Sequence, residues 1–165
     1  MASRAGRCRI LISSSQRALR VPRKKLAELI NFLADRSGAD IAEIDLTVVS
    51  AKQIAGLNRK YLRHGGATDV LSFDLSEAGR RGICGQLIVC GEIAASQARA
   101  RGTGPQGELM LYVVHGLLHL LGYNDHTPSA KHRMDRRQEA ILQAFLESRR
   151  PQRRRKRGDQ RNCGA

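Results

Sequence analysis

A chain of 165 residues that is 41% hydrophobic is long enough and apolar enough to bury one domain core, which excludes a disordered polymer. Aromatics are only 4% and Trp is absent, so the core has to be aliphatic, and no apolar run reaches the ~20 residues a membrane-spanning helix needs. The net charge of +14, from 29 Lys and Arg against 15 Asp and Glu, calls for a polyanionic partner, most simply RNA or DNA.

Half of that charge sits at the end of the chain. From Arg149 onward there are eight basic residues and a single acid, Asp159. Residues 1–150 are therefore read as one domain. Residues 151–165 are read as a basic tail, expected to be disordered and to add nonspecific phosphate affinity. Near the start, Arg4, Arg7 and Arg9 flank only a short apolar stretch, Ile10 to Ile12. That is below the ~7–15 residues of a signal-peptide core, and a cytoplasmic location is expected. The cysteines Cys8, Cys84, Cys90 and Cys163 form no CxxC pair and are read as reduced structural thiols.

Residues 9–13 read as a short strand. Pro22 opens a helix whose Leu26, Leu29, Ile30 and Leu33 recur at helical spacing, ending near Gly38. Ile44, Leu46 and Val48 alternate in a second strand over 41–49, and Ser50 is a candidate N-cap for a helix through Ile54, Leu57 and Tyr61. His64-Gly65-Gly66 breaks it. Residues 69–75 alternate as a third strand, and a polar turn with Gly79 and Gly82 follows. The continuous run Leu87 to Cys90 reads as a central strand covered on both faces. Helices are expected over 91–101 and 106–121. Another starts at Pro128, with Met134, Ile141, Leu142 and Phe145 facing inward. The order predicts an α+β fold, a small mixed sheet packed with about five helices.

The chemistry is concentrated in one stretch. His115 and His119 are four residues apart on a helix surrounded by Leu and Val, so both imidazoles lie on one face at depth. Unsatisfied buried polar groups cost ~1–3 kcal/mol each. One Zn²⁺ satisfies both rings, since neutral imidazole is a good zinc ligand. Core histidines bonded to carbonyls are the competing explanation. The turn expected at Gly122 weighs against it, because it swings Asp125 or His126 back toward the pair as a third ligand. Three protein ligands leave a fourth position for water, the arrangement of a catalytic zinc; nickel would accept the same donors. His64 and His132 have no such support and read as surface residues. In HExxH peptidases a Glu base follows the first His, whereas here that position is Gly116. Glu108, two turns upstream, is about 10 Å away. A zinc peptidase is thus a weaker alternative, as is a non-catalytic RNA-binding assembly factor with a structural metal.

The string His115-Gly-Leu-Leu-His119-Leu-Leu-Gly-Tyr, closing on Asp125-His126, resembles the signature of the YbeY family of rRNA-maturation endoribonucleases. Leu57-Asn58-Arg59-Lys60-Tyr61 followed by Thr68-Asp69-Val70-Leu71-Ser72-Phe73 resembles that family's second block, and Leu87 to Cys90 its next strand. The resemblance implies a metal cleft between sheet and helices. It implies cleavage of single-stranded RNA in maturation of the small-subunit rRNA 3′ end, and ribosome quality control. It also implies the ribosomal small subunit and assembly-factor proteins as partners. His115 and Arg59 are the implied catalytic residues, with Arg59, Lys60 and Arg63 on the RNA. Two departures stand out. One residue more than the family's usual five separates His119 from His126, so Asp125 holds the ligand spacing while His126 holds the ligand type; His126 is preferred, with Asp125 competing. Gln86 stands where the family usually has an acid.

Overall fold

A computed structural model describes residues 8–63 and 65–150. The basic tail and His64 lie outside the described residues. The elements are β1 (Arg9–Ser14), α1 (Arg23–Ser37), β2 (Ile41–Val49), α2 (Ala51–Leu62), β3 (Val70–Asp74), β4 (Ile83–Cys90), α3 (Gly91–Arg101), α4 (Pro105–Leu120) and α5 (Pro128–Ser148). The fold is α+β with a four-stranded mixed sheet in the order β1-β2-β4-β3. The first three strands run parallel, and β3 closes one edge antiparallel to β4.

Local chemistry accounts for most boundaries. Ser50 and Gln53 form a reciprocal capping box at the start of α2. Gly38 ends α1 in the left-handed region, φ 67°. Arg63 does the same for α2 at φ 55°, ahead of the Gly65-Gly66 pair. β4 begins at Ile83, directly after the polar turn with Gly79 and Gly82, and extends the apolar run Leu87 to Cys90 toward its N-terminus. Residues 83–86 pair with Ile41 to Asp45 of β2, and Gly85 and Gln86 also pair with Asp74 and Phe73 of β3.

The sheet is covered on both faces. On one, Ile44, Leu46, Val48, Leu87 and Val89 pack against Leu26, Leu29, Ile30 and Leu33 of α1 and the buried side of α4. Met134, Ile141 and Phe145 of α5 complete this main core, with Phe145 edge-on to Phe32. On the other face, Val49, Leu71, Ile88 and Cys90 meet Ile54 and Leu57 of α2 in a second, smaller cluster. So α2 and α4 lie on opposite sides of the sheet.

α4 approaches the sheet unusually closely. A Cβ at Gly116 would lie 2.9 Å from Leu87 Cδ2, 2.9 Å from Ser72 Oγ and 3.0 Å from Val70 Cγ2, and one at Gly85 would lie 2.3 Å from Leu120 Cδ1. The Ser72 hydroxyl fastens the seam by donating to the Gly116 carbonyl at 3.2 Å. Overpacking of this kind costs ~1–3 kcal/mol. Gly116→Val is therefore expected to lower stability by about 2–3 kcal/mol. Gly56→Ala, in α2 with nothing within 4 Å, should raise it by ~0.5–1 kcal/mol. Urea midpoints at constant slope decide the matter, and an unchanged midpoint for Gly116→Val would refute the packing account.

Candidate metal centre

His115 and His119 are positioned by the rotation of α4. With Gly116 fixed against the sheet, both lie about 60–100° round the helix on the same flank, turned toward α5. The His115 Nδ1 stands 3.0 Å from the Gln138 Oε1 of α5. An amide oxygen only accepts, so the ring hydrogen is on Nδ1 and the Nε2 lone pair is free. That Nε2 is 3.0 Å from the Nε2 of His119. Burial, and next the charge of His115, pushes the His119 pKa down, which keeps its imidazole in the neutral, ligating form.

The chain leaves α4 through a Schellman turn. The Gly122 amide donates to the His119 carbonyl and the Tyr123 amide to the Leu118 carbonyl, with Gly122 at φ 92°. The side chain of Asn124 then accepts from the His126 amide at 3.3 Å. The extra residue is absorbed in this local turn, and it is the Asp125 carboxylate that points back, its Oδ2 4.0 Å from the Nε2 of both histidines. His115, His119 and Asp125 are the group of donors that could hold a metal ion among the described residues. His126, the preferred third ligand on residue type, is exposed and outside this group; the register of the turn is the physical reason.

The three donor atoms form a triangle with sides of 3.0, 4.0 and 4.0 Å. A point equidistant from its corners is about 2.2 Å from each, within reach of Zn–N and Zn–O bonds of ~2.0–2.2 Å. Two imidazoles and a carboxylate also suit a borderline-soft divalent cation. The residues present fit the metal.

Other expected site residues fall elsewhere. Arg59 and Lys60, in the last turn of α2, and Arg63, its cap, are exposed, and their helix packs on the face of the sheet opposite α4. Among the described residues the group of candidate metal donors, His115, His119 and Asp125, comes from α4 and its exit loop. Gln86 sits within β4 opposite Asp45 and Phe73. His132 is exposed, as expected. Glu108 is buried and engaged, accepting from Arg101 Nη1 at 3.3 Å and Thr103 Oγ1 at 3.2 Å. Burial and the Glu108 charge push the nearby Tyr112 hydroxyl up to about 12. Glu108 is thus not available as a base, and the Gly116 seam leaves no room for a glutamate beside His115. Sequence reasoning missed Gln138. Its signal was a polar residue on the stripe formed by Met134, Ile141 and Phe145.

Fold and donor set together define a small α+β protein with a three-donor cluster that could hold a cation, on one buried helix and the loop that leaves it. Residues 11–146 match the family model described as endoribonuclease YbeY, and the chain belongs to the YbeY family. Proteins named endoribonuclease YbeY are 35% identical over 131 residues in Nocardioides sp., covering 74% of this chain and 88% of that one, and 32% identical over 145 residues in Beutenbergia cavernae, covering 82% and 97%. Another, from Anaeromyxobacter sp., is 36% identical over 135 residues, covering 81% of this chain and 70% of its own. A solution structure from Thermotoga maritima superposes with a TM-score of 0.58 at 25% identity, covering 84% of this chain and 90% of that one.

Removing the partner that orients a ligating imidazole typically costs 10–100-fold in metal affinity. Gln138→Leu is expected to weaken binding by about that factor with the circular dichroism spectrum unchanged; calorimetric titration with Zn²⁺ measures it, and wild-type affinity would remove Gln138 from the site. In metal-free protein, the unfolded chain protonates His119 near 6.5 while the folded state does so at a lower pH. Stability present above pH 6.5 is therefore lost as the pH falls from there through the lower folded value. His119→Gln should flatten that dependence in thermal melts.

Proposed function

We propose that this chain is a zinc-dependent endoribonuclease that cuts single-stranded RNA in maturation of the small-subunit rRNA 3′ end and in ribosome quality control. It works in the cytoplasm, with the ribosomal small subunit and its assembly factors as partners. The observation that carries the reading is the convergence of His115, His119 and Asp125 on one point in a chain that belongs to a family of endoribonucleases. The peptidase alternative would draw on Glu108 as base, and that carboxylate is tied to Arg101 and Thr103.

His115, oriented by Gln138, and His119, held neutral by burial, offer two nitrogen lone pairs. Asp125 adds a negatively charged oxygen. A bound divalent cation supplies Lewis acidity toward a phosphodiester and activates a water nucleophile. His115 is catalytic in the sense of holding that cation. The basic surface raises the local concentration of RNA and speeds its encounter. Arg59, Lys60 and Arg63 bind the RNA backbone from α2, guanidiniums gripping phosphate oxygens in pairs. The tail, outside the described residues, adds nonspecific phosphate affinity.

In this reading His119→Ala abolishes zinc retention and RNA cleavage while binding of single-stranded RNA survives. Elemental analysis, a gel assay on an rRNA 3′ fragment and anisotropy supply the three readouts. Cleavage at wild-type rate by zinc-free protein would sink the reading, and intact RNA after incubation with fully loaded wild-type protein would leave an assembly factor instead. Asp125→Ala is expected to lose zinc and activity together, and His126→Ala to keep both; the reverse outcome would restore His126 as third ligand. Arg59→Glu should raise KM about tenfold or more with kcat little changed, whereas a fall confined to kcat would put Arg59 at the reacting phosphate.

A further inference from the structure

The last turn of α2 carries the inward stripe of that helix out past the core. Ile54 is fully buried and Leu57 half-buried in the second cluster, but Tyr61, the next residue on the same stripe, is 55% exposed. Leu62 beside it is 48% exposed. Adjacent exposed apolar side chains of this size mark a binding surface.

The Tyr61 ring is held without being covered. Its centroid is 5.6 Å from that of Phe73 on β3, at an interplanar angle of 67°. This edge contact steadies the ring against the sheet and is not a parallel stack. The Lys60 Nζ is 5.1 Å from the Tyr61 centroid. Arg59, Lys60 and Arg63 lie in the last turn and cap of α2, all exposed, and α2 contains no acidic residue. Among the described residues none of the three takes part in an ion pair. Leu75, two residues along β3 from Phe73, borders a pocket lined by Glu43, Asp45 and Glu77. Those carboxylates repel a polyanion and leave the α2 side as the favourable one.

An exposed aromatic ring among free cations has two complementary uses. The π-face stacks on any nucleobase, and the cations meet phosphate. The contact of an exposed ammonium with a ring is weak. A base and its phosphate replace it together, the base taking the ring and the phosphate the ammonium. Phosphates are common to single and double strands, so the cations alone cannot tell them apart. The ring can, because a base inside a duplex is already stacked on both sides.

We propose that Tyr61 is a stacking platform for one unpaired base, with the Lys60 ammonium on the adjoining phosphate, so that the end of α2 selects single-stranded over double-stranded RNA. The proposal rests on the endoribonuclease reading for its ligand. It adds to the backbone contacts of Arg59, Lys60 and Arg63 a side chain that reads strandedness.

The test uses full-length, metal-loaded protein and three forms of one fluorescent oligoribonucleotide: single-stranded, annealed to its complement, and with abasic positions on the same backbone. Affinities are read by stopped-flow anisotropy, before cleavage, at several salt concentrations. Tyr61→Leu keeps apolar bulk but loses the π-face, and should bind the single strand about tenfold more weakly with duplex affinity unchanged. Tyr61→Phe should keep single-strand affinity. Because the chain has no Trp, tyrosine emission is directly readable; its quenching by the single strand should be lost in Tyr61→Phe. Lys60→Gln should weaken both forms and reduce the single-strand salt slope by about 0.7, the value for one phosphate contact. Leu11→Ala, an apolar residue of β1 that is 42% exposed, should change nothing. A Tyr61→Leu protein with the wild-type thermal midpoint and wild-type single-strand affinity overturns the proposal, as does an equal loss for single and double strands. Without any variant, wild type that binds the abasic strand as tightly as the ordinary one overturns it too. If zinc-loaded wild type fails to cut RNA while Tyr61→Leu still loses single-strand affinity alone, the platform stands and the nuclease reading falls.

Discussion

The close approach of α4 to β3 and β4 is the constraint from which the site follows. Glycine at 116 and 85 lets the helix settle against Leu87, Ser72 and Val70. Once settled, its rotation is fixed by volume rather than by a hydrogen bond that could be traded for water. His115 and His119 are then carried to one flank, away from the sheet, where α5 and the exit loop supply Gln138 and Asp125. The same seam occupies the place where a general-base glutamate would stand in a peptidase-type helix. Packing thus selects the donor set and excludes one class of chemistry at the same position.

The electrostatics of the centre run against those of the molecule. A chain of net charge +14 attracts polyanions but repels cations. A divalent ion at this cluster would therefore need local compensation, and Asp125 could supply it where a third imidazole would not. In the proposed function, a carboxylate in the donor set would also lower the positive charge presented to a phosphodiester and leave more of the work of holding the phosphate to guanidiniums.

The legibility of the chain followed the range of the forces involved. Helix and strand boundaries were readable because they depend on nearby residues: the Ser50–Gln53 box, Gly38, the alternation of Ile44, Leu46 and Val48. The pair His115 and His119 was readable for the same reason, as a four-residue spacing on a buried helix. The third donor was not, because a single Asx turn at Asn124 decides whether position 125 or 126 faces inward, and composition cannot rank two such registers. The second half of β4 was legible as the apolar run Leu87 to Cys90, whereas Gly85 and Gln86 are held by pairing with strands β2 and β3. Which face of a sheet a helix covers is a topological property, and the local sequence of α2 is silent on it. The one hint was the unbroken apolar run at Leu87 to Cys90, which requires a cover on both sides.

The donors His115, His119 and Asp125 are spaced only four and six positions apart along the chain. They stay within reach of one another when the sheet, whose parallel strands join distant segments, has come undone. A cation taken up by these donors would therefore keep some hold on an opened chain. Mass-action stabilisation by metal is the difference between affinity for the folded and for the unfolded form. With donors so close in sequence that difference would be smaller than the full affinity, and metal would favour recovery of the helix–loop–helix corner more than it clamps the whole domain.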